Sequence, residues 1–231
     1  MSYLSPAEVE AVLLSLRVAF WAVLFSLPPG IAVAWLLARA TFPGKSILDA
    51  AIHIPLVVPP VVVGYILLVT FGRNGPVGGW LYDTFGMTVA FTWQGAALAA
   101  AVMAFPLMVR AIRLSMEAVD PRLEEAARTL GAGRLDVFFS VTLPLTGSGI
   151  VVGAILAFAR SLGEFGATIT FVSAIPGETT TLPIALYGLA QVPGREDAAL
   201  RLVVLSVVIA FVAMLVSEIV ARRVRSRIAG A

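Results

Sequence analysis

The sequence predicts an all-α integral membrane fold, a polytopic helical bundle of about five transmembrane helices, and three observations carry that reading. The first is scarcity of charge: 16 Lys and Arg with 14 Asp and Glu make 13% of 231 residues, while 59% are apolar. A soluble domain carries roughly 25% charge and about 45–50% apolar residues. So little charge does not keep a chain of this size dispersed, and its core has no room for the excess apolar area. The second is spacing, because long uncharged windows lie between the charges. The third is pattern: runs such as Ala96 to Phe105 are continuously apolar, whereas strands of a membrane β-barrel alternate with a period of two.

The windows are residues 18–38 (21 residues), 50–72 (23), 84–109 (26), 137–159 (23) and 202–217 (16). A helix crossing the hydrocarbon needs about 20 apolar residues. Four windows meet that length, and the fifth does so if Arg201 and Glu218 sit at opposite interfaces and snorkel outwards. Prolines 28, 29, 55, 59, 60 and 106 are expected to interrupt spans, freeing backbone groups that neighbours or a wet cavity must satisfy. Gly149 and Gly153 form a small-xxx-small pair, and the alanines between 96 and 104 make the third span small-sided, which allows close helix approach in lipid. No internal repeat or low-complexity linker occurs, so residues 1–231 read as a single transmembrane domain. No Lys or Arg precedes Arg17, and Glu8 and Glu10 stand where a secretory signal has its basic region, so the first apolar segment is expected to be retained.

Five crossings put the termini on opposite sides. One side collects Arg39, Lys45, Arg110, Arg113, Arg122, Arg128, Arg134, Arg222, Arg223, Arg225 and Arg227; the other has Arg73, Arg195 and Arg201. The basic side is cytoplasmic by the positive-inside rule, which leaves the N-terminus outside and the C-terminus inside. The four tail arginines suit anionic lipid and serve equally as a topology anchor.

The longest polar segment on the cytoplasmic side, residues 115–143, reads as a folded loop. Asp120 can cap a helix beginning at Pro121, with Leu123, Ala126, Ala127 and Leu130 on one face and Gly131 at its end. A second short helix through Leu135, Phe138 and Phe139 runs to Pro144. On the outer side, Leu182 to Ala190 is too short to cross and reads as re-entrant or interfacial.

Several function classes fall away. Disorder needs low hydrophobicity, and a net charge of +2 is too small for a nucleic-acid binder. No cysteine is present, which excludes disulfides, thiolate metal sites and cysteine nucleophiles. His53 is the only histidine, so no multi-His metal site forms within one chain, and it is expected at a helix start or in packing. Gly44-Lys45-Ser46 fails as a P-loop because Arg39 stands where the first glycine belongs. An integral-membrane enzyme would need clustered acidic or histidine groups at the interface. The nearest cluster, Glu117, Asp120, Glu124 and Glu125, has no paired motif elsewhere. A secondary transporter would show repeats and intramembrane carboxylates in both halves. Arg160 and Glu164 form an i,i+4 pair inside the fourth span. Two readings stand: a pair that neutralises itself or ties spans together, or an arginine that helps an anion pass near a dimer axis, held by its glutamate.

The cytoplasmic loop carries a resemblance. Glu125-Ala126-Ala127, three residues, Gly131, nine residues, then Val141-Thr142-Leu143-Pro144 resembles the EAA loop of binding-protein-dependent ABC importer permeases, with Val141 in place of isoleucine. Further segments, Phe42 to Lys45, His53 to Tyr65, Ala104 to Arg110, Ala157 to Thr168 and Ile175 to Thr179 with Thr181-Leu182-Pro183, resemble permease subunits of molybdate importers. Sulfate and thiosulfate permeases share the Gly163-Glu164-Phe165-Gly166 portion.

What the resemblance implies is a type I ABC importer permease fold with cytoplasmic coupling helices. Two permease copies form the pathway, two cytoplasmic ATPases carry ATP and magnesium, and an external binding protein delivers the oxyanion; this chain holds no cofactor. Glu125, Ala126, Ala127, Gly131, Leu143 and Pro144 inherit the ATPase-coupling role. The substrate expected is molybdate, with tungstate, sulfate or thiosulfate as alternatives, and the location is the cell's inner membrane.

Overall fold

The computed structural model describes residues 5–229, less the side chains of residues 217, 220, 221 and 223–229. Helix α1 (Pro6–Arg39) opens on a capping box: the Ser5 hydroxyl accepts from the Glu8 amide at 3.3 Å, and the Glu8 carboxylate accepts from the Ser5 amide at 2.6 Å. Pro6 at the first helical position has no N–H to leave unpaired. A turn through Gly44, at φ +89°, leads to α2 (Lys45–Val57), which meets α3 (Pro60–Phe71) at a bend of 111°. A short α4 (Pro76–Phe85) follows, and then α5 (Trp93–Glu117), capped by the Thr92 hydroxyl on the Gly95 amide at 3.2 Å.

The polar loop holds α6 (Pro121–Thr129) and α7 (Arg134–Val137). A π-helical turn (Phe138–Thr142) and α8 (Leu143–Leu145) lead on to α9 (Gly147–Leu162), which is bent by 69° from the segment before it. The remainder is α10 (Gly166–Val172), α11 (Leu182–Ala190) and α12 (Glu196–Ala229). Among the described residues there is no strand. Three helices, α1, α5 and the Glu196–Val216 part of α12, are long and apolar enough to cross a membrane, and five crossings result if each bent pair is one span.

Helix α5 is the centre of the bundle. In its most apolar stretch 61% of residues are buried within the chain, against 6% for α12. Ala96, Ala99, Ala100 and Met103 join Val18, Ala22, Phe171 and Val172 in one core, while Met108, Val109, Ile112 and Met116 join Ala34, Leu37 and Ala157 in a second. The small side chains let α1 and α9 lie against α5 at close range. A Cβ on Gly153 would stand 2.9 Å from Ile112 Cγ1, and one on Gly149 would collide with the Cβ of Ser115.

Three expectations change. The window at 84–109 is not one helix: α4 ends at Phe85, Gly86 turns the chain at φ +66°, and α5 starts only at Trp93. Lack of charge marks what lipid tolerates and leaves the backbone path open. Of the six interrupting prolines, Pro28 and Pro29 lie within continuous α1, Pro55 within α2 and Pro106 within α5; a break occurs at Pro59 and Pro60. Each interior proline removes one hydrogen bond; Pro106 is buried among the neighbouring helices, whereas Pro28 and Pro29 face outward. His53 is not at a helix start: it stands half-buried in the interior of α2, its Nδ1 2.8 Å from the Asp49 carbonyl, which leaves the packing alternative.

The α5–α9 contact yields a paired test. Gly149→Ala is expected to cost about 1–3 kcal/mol, the range for overpacking, and to lower the thermal midpoint of the purified protein. Gly147→Ala, with nothing within 4 Å of its added Cβ, should leave that midpoint in place.

Candidate functional site

Residues 118–146 fold back against the end of α1. The Asp120 carboxylate accepts from the Arg122 amide at 2.9 Å, so α6 begins on a side-chain cap with Pro121 in its first position. It ends in a Schellman motif: Gly131, at φ +92°, donates to the Arg128 carbonyl at 3.0 Å, and Ala132 donates to Ala127 at 3.1 Å. Only glycine adopts that backbone without strain. Glu125 and Ala126 are exposed and Ala127 is half-buried. Leu123 and Leu130 are 49% and 89% exposed, so α6 turns an apolar stripe and an acidic residue outwards. Leu143 is half-buried and Pro144 exposed on the segment leading into α9.

The inward anchor of this loop is Glu124, which sequence reasoning noted only as one of an acidic group. It is 4% exposed, and its Oε1 accepts from Arg39 Nε at 2.9 Å and from the Thr142 hydroxyl at 2.8 Å. Arg39 also donates to the Val119 carbonyl at 3.2 Å, and Arg128 lies 3.6 Å from the second Glu124 oxygen. The i,i+4 spacing of Glu124 and Arg128 is visible in the sequence; the approach of Arg39, 85 positions away, is not. Beside this junction is a cavity of about 720 Å³ lined by Trp35, Arg39, Glu124, Arg128, Arg134 and Phe138.

Arg160 and Glu164 meet at 2.7 Å, with side-chain exposures of 28% and 2%. Glu164 does two jobs, since its Oε1 also accepts from the Ala167 amide at 2.9 Å at the start of α10. That start abuts the break between α2 and α3: a Cβ on Gly166 would lie 2.9 Å from Pro60 Cβ, and one on Gly64 would lie 2.9 Å from the Ala167 Cα. The two short helices therefore pack backbone against backbone.

At the opposite end of α5, the Arg17 guanidinium lies 3.8 Å from the centre of the Trp93 ring, and Glu178 accepts from the Trp93 amide at 3.2 Å. Arg113 pairs with both Glu117 at 2.7 Å and Asp49 at 2.9 Å. Among the described residues no group of three His, Cys, Asp or Glu side chains is placed to hold a metal ion.

Fold and loop together define a multi-spanning helical membrane protein with a folded polar loop at one end of its bundle. The chain belongs to the family of binding-protein-dependent transport system inner membrane components, whose profile matches residues 30–226; it is a multi-pass inner membrane protein. It is 65% identical over 224 residues to the molybdenum transport system permease protein ModB of Escherichia coli strain K12, covering 97% of this chain and 98% of that one. To the Haemophilus influenzae protein that carries the same ModB name the chain is 53% identical over 221 residues, covering 96% of each. The sulfate transport system permease protein CysT of Escherichia coli is more distant, at 39% over 183 residues, 79% of this chain and 66% of that one. In fold, the chain resembles a bacterial ABC transporter involved in alginate import (TM-score 0.75, 19% identity, 95% of this chain and 80% of that one). It also resembles the MetNI methionine ABC transporter (TM-score 0.70, 20% identity, 94% and 95%). The type I ABC importer permease fold expected from the loop is thereby observed.

The Arg160–Glu164 geometry orders two substitutions. Arg160→Ala strands a carboxylate that is 2% exposed, a loss on the order of 3–5 kcal/mol for a buried pair deprived of one partner. Glu164→Ala leaves a partly exposed guanidinium and an uncapped short helix, a smaller loss of about 0.5–2 kcal/mol for the cap. Thermal unfolding of the two purified variants should show Arg160→Ala with the lower midpoint.

Proposed function

We propose that this chain is the membrane-spanning permease subunit of an ABC importer that carries molybdate inward, driven by ATP hydrolysis in a separate subunit. The observation that carries it is the 65% identity to a molybdenum permease over 97% of the chain. Sulfate permeases match less of the chain at lower identity. Discrimination among tetrahedral oxyanions, tungstate included, is assigned to the external binding protein.

The arrangement that follows is a pair of permease copies round one pathway, with two cytoplasmic ATPases that hold ATP and magnesium. The basic loops face the cytoplasm and the N-terminus lies outside, a placement supported by the distribution of Arg and Lys. The docking surface is α6: Glu125, Ala126 and Ala127 meet the ATPase, Gly131 ends the helix sharply, and Leu143 and Pro144 lead into α9. The exposed Leu123 and Leu130 support this role, because an apolar stripe of that kind is costly in water and complements a cleft. The small Ala126 lets the two surfaces approach closely. Inside the bundle, the Arg160 guanidinium is offered to the passing anion while Glu164 fixes its position.

The test is radiolabelled molybdate uptake by cells lacking their own high-affinity importer and supplied with this permease, its ATPase and its binding protein. Uptake is expected to persist in excess sulfate; competition by sulfate would move the assignment to the sulfate branch. Glu125→Lys, which reverses the charge on the docking face, is expected to abolish uptake and co-purification of the ATPase while the permease remains in the membrane.

A further inference from the structure

We propose that Glu124 is a positioning residue that carries movement of the docking helix into the membrane-crossing helices. The proposal deepens the reading above and rests on α6 being the surface on which the ATPase sits. A nine-residue helix is not stable alone in water. If its outer face is pushed or turned, the displacement reaches the bundle through the chain at its two ends and through what grips its inner face.

Glu124 is that grip. Its neighbour Glu125 is exposed, whereas Glu124 is 4% exposed with its oxygens already engaged within the chain, so it is not itself a contact for a partner. One oxygen gathers three parts of the structure: α6 through its own backbone, the last turn of α1 through Arg39 at 2.9 Å, and the π-helical turn through Thr142 at 2.8 Å. Arg39 continues the connection to the beginning of the loop at the Val119 carbonyl, 3.2 Å away. From Thr142 the connection runs on, because its carbonyl accepts both the hydroxyl of Thr146 at 2.8 Å and the amide of Thr146 at 3.0 Å, immediately before α9. The two helices reached, α1 and α9, are those that flank α5. Hydrogen bonds to ionised groups are shorter and stronger than neutral ones, and burial strengthens them further. Such a junction transmits a displacement that a flexible surface contact would absorb.

A buried ion pair can also be merely architectural, and replacing both members is then often harmless. The test exploits that difference. The assembled complex of permease, ATPase and binding protein is reconstituted in liposomes with Glu124→Gln, with Arg39→Met and with both, and molybdate uptake is measured per ATP hydrolysed beside the thermal midpoint. Glu124→Gln leaves Arg39 without its carboxylate, and Arg39→Met leaves Glu124 only the exposed Arg128 at 3.6 Å as a counter-ion, so each single variant should lower the midpoint; the double variant removes both members of the close pair and should recover it. Uptake per ATP in the double variant is expected to stay about tenfold low, within the 5–150-fold that coupling between sites ordinarily carries. A double variant with wild-type uptake per ATP would overturn the proposal and leave the pair a structural one. Failure of the docking reading shows separately, as an ATPase that still co-purifies with the Glu125→Lys chain, and would remove the ground for this proposal as well.

Discussion

Close contact between α5 and the helices on either side of it is the constraint on which the rest of the architecture depends. Lipid tails are as apolar as leucine, so helices in a bilayer gain nothing from hiding apolar surface and associate through packing instead. The alanines of α5 and the glycines at 149 and 153 of α9 supply that packing by removing side-chain bulk where backbones approach. A rigid centre then lets the surrounding elements be irregular. Helix α5 runs unbroken for 25 residues, while the paths on either side bend by 111° and 69°.

Those bends raise a question of backbone pairing, since a group freed from its helix has no water to turn to inside a bilayer. The structure answers it with local partners. Glu164 receives the Ala167 amide, the Thr170 hydroxyl donates to the Gly166 carbonyl at 2.8 Å, and Val58 donates to Ile54 at 3.0 Å beside the break. Gly64 allows α3 and α10 to touch at their backbones, so two short helices act as one packed unit.

Much of this was legible in the chain. Charge spacing located α1, α5 and α12, the capping residues Asp120 and Gly131 bounded α6, and the length of the 182–190 stretch marked α11 as too short to cross. Failures cluster where the outcome depends on contacts far apart in sequence. The turn at Gly86 did have local signals, a left-handed glycine that ends α4 as Gly131 ends α6 and a Thr92 cap on α5, but nothing near Pro106 shows that neighbouring helices will hold a proline in line. The loop divides the same way: the outward placement of Glu125 and Ala126 and the helix end at Gly131 follow from local rules of helix geometry and capping. The burial of Glu124 does not, because it comes from contacts with Arg39 and Thr142 outside its own helix. Two adjacent glutamates thus take opposite placements through tertiary structure alone.

The start of α1 is tied to residues that are made much later in synthesis. Glu8, buried at the start of the first helix, accepts from the Arg201 guanidinium at 3.1 Å, and Ser15 accepts from the Leu182 amide at 2.7 Å. Both partners leave the ribosome long after α1 has been made. Until they arrive, the first turns of that helix carry a carboxylate without its counter-ion, and such a group stays in water by preference. The start of α1 is therefore completed by the last third of the chain, and Glu8 gains its guanidinium partner only once α12 is in place.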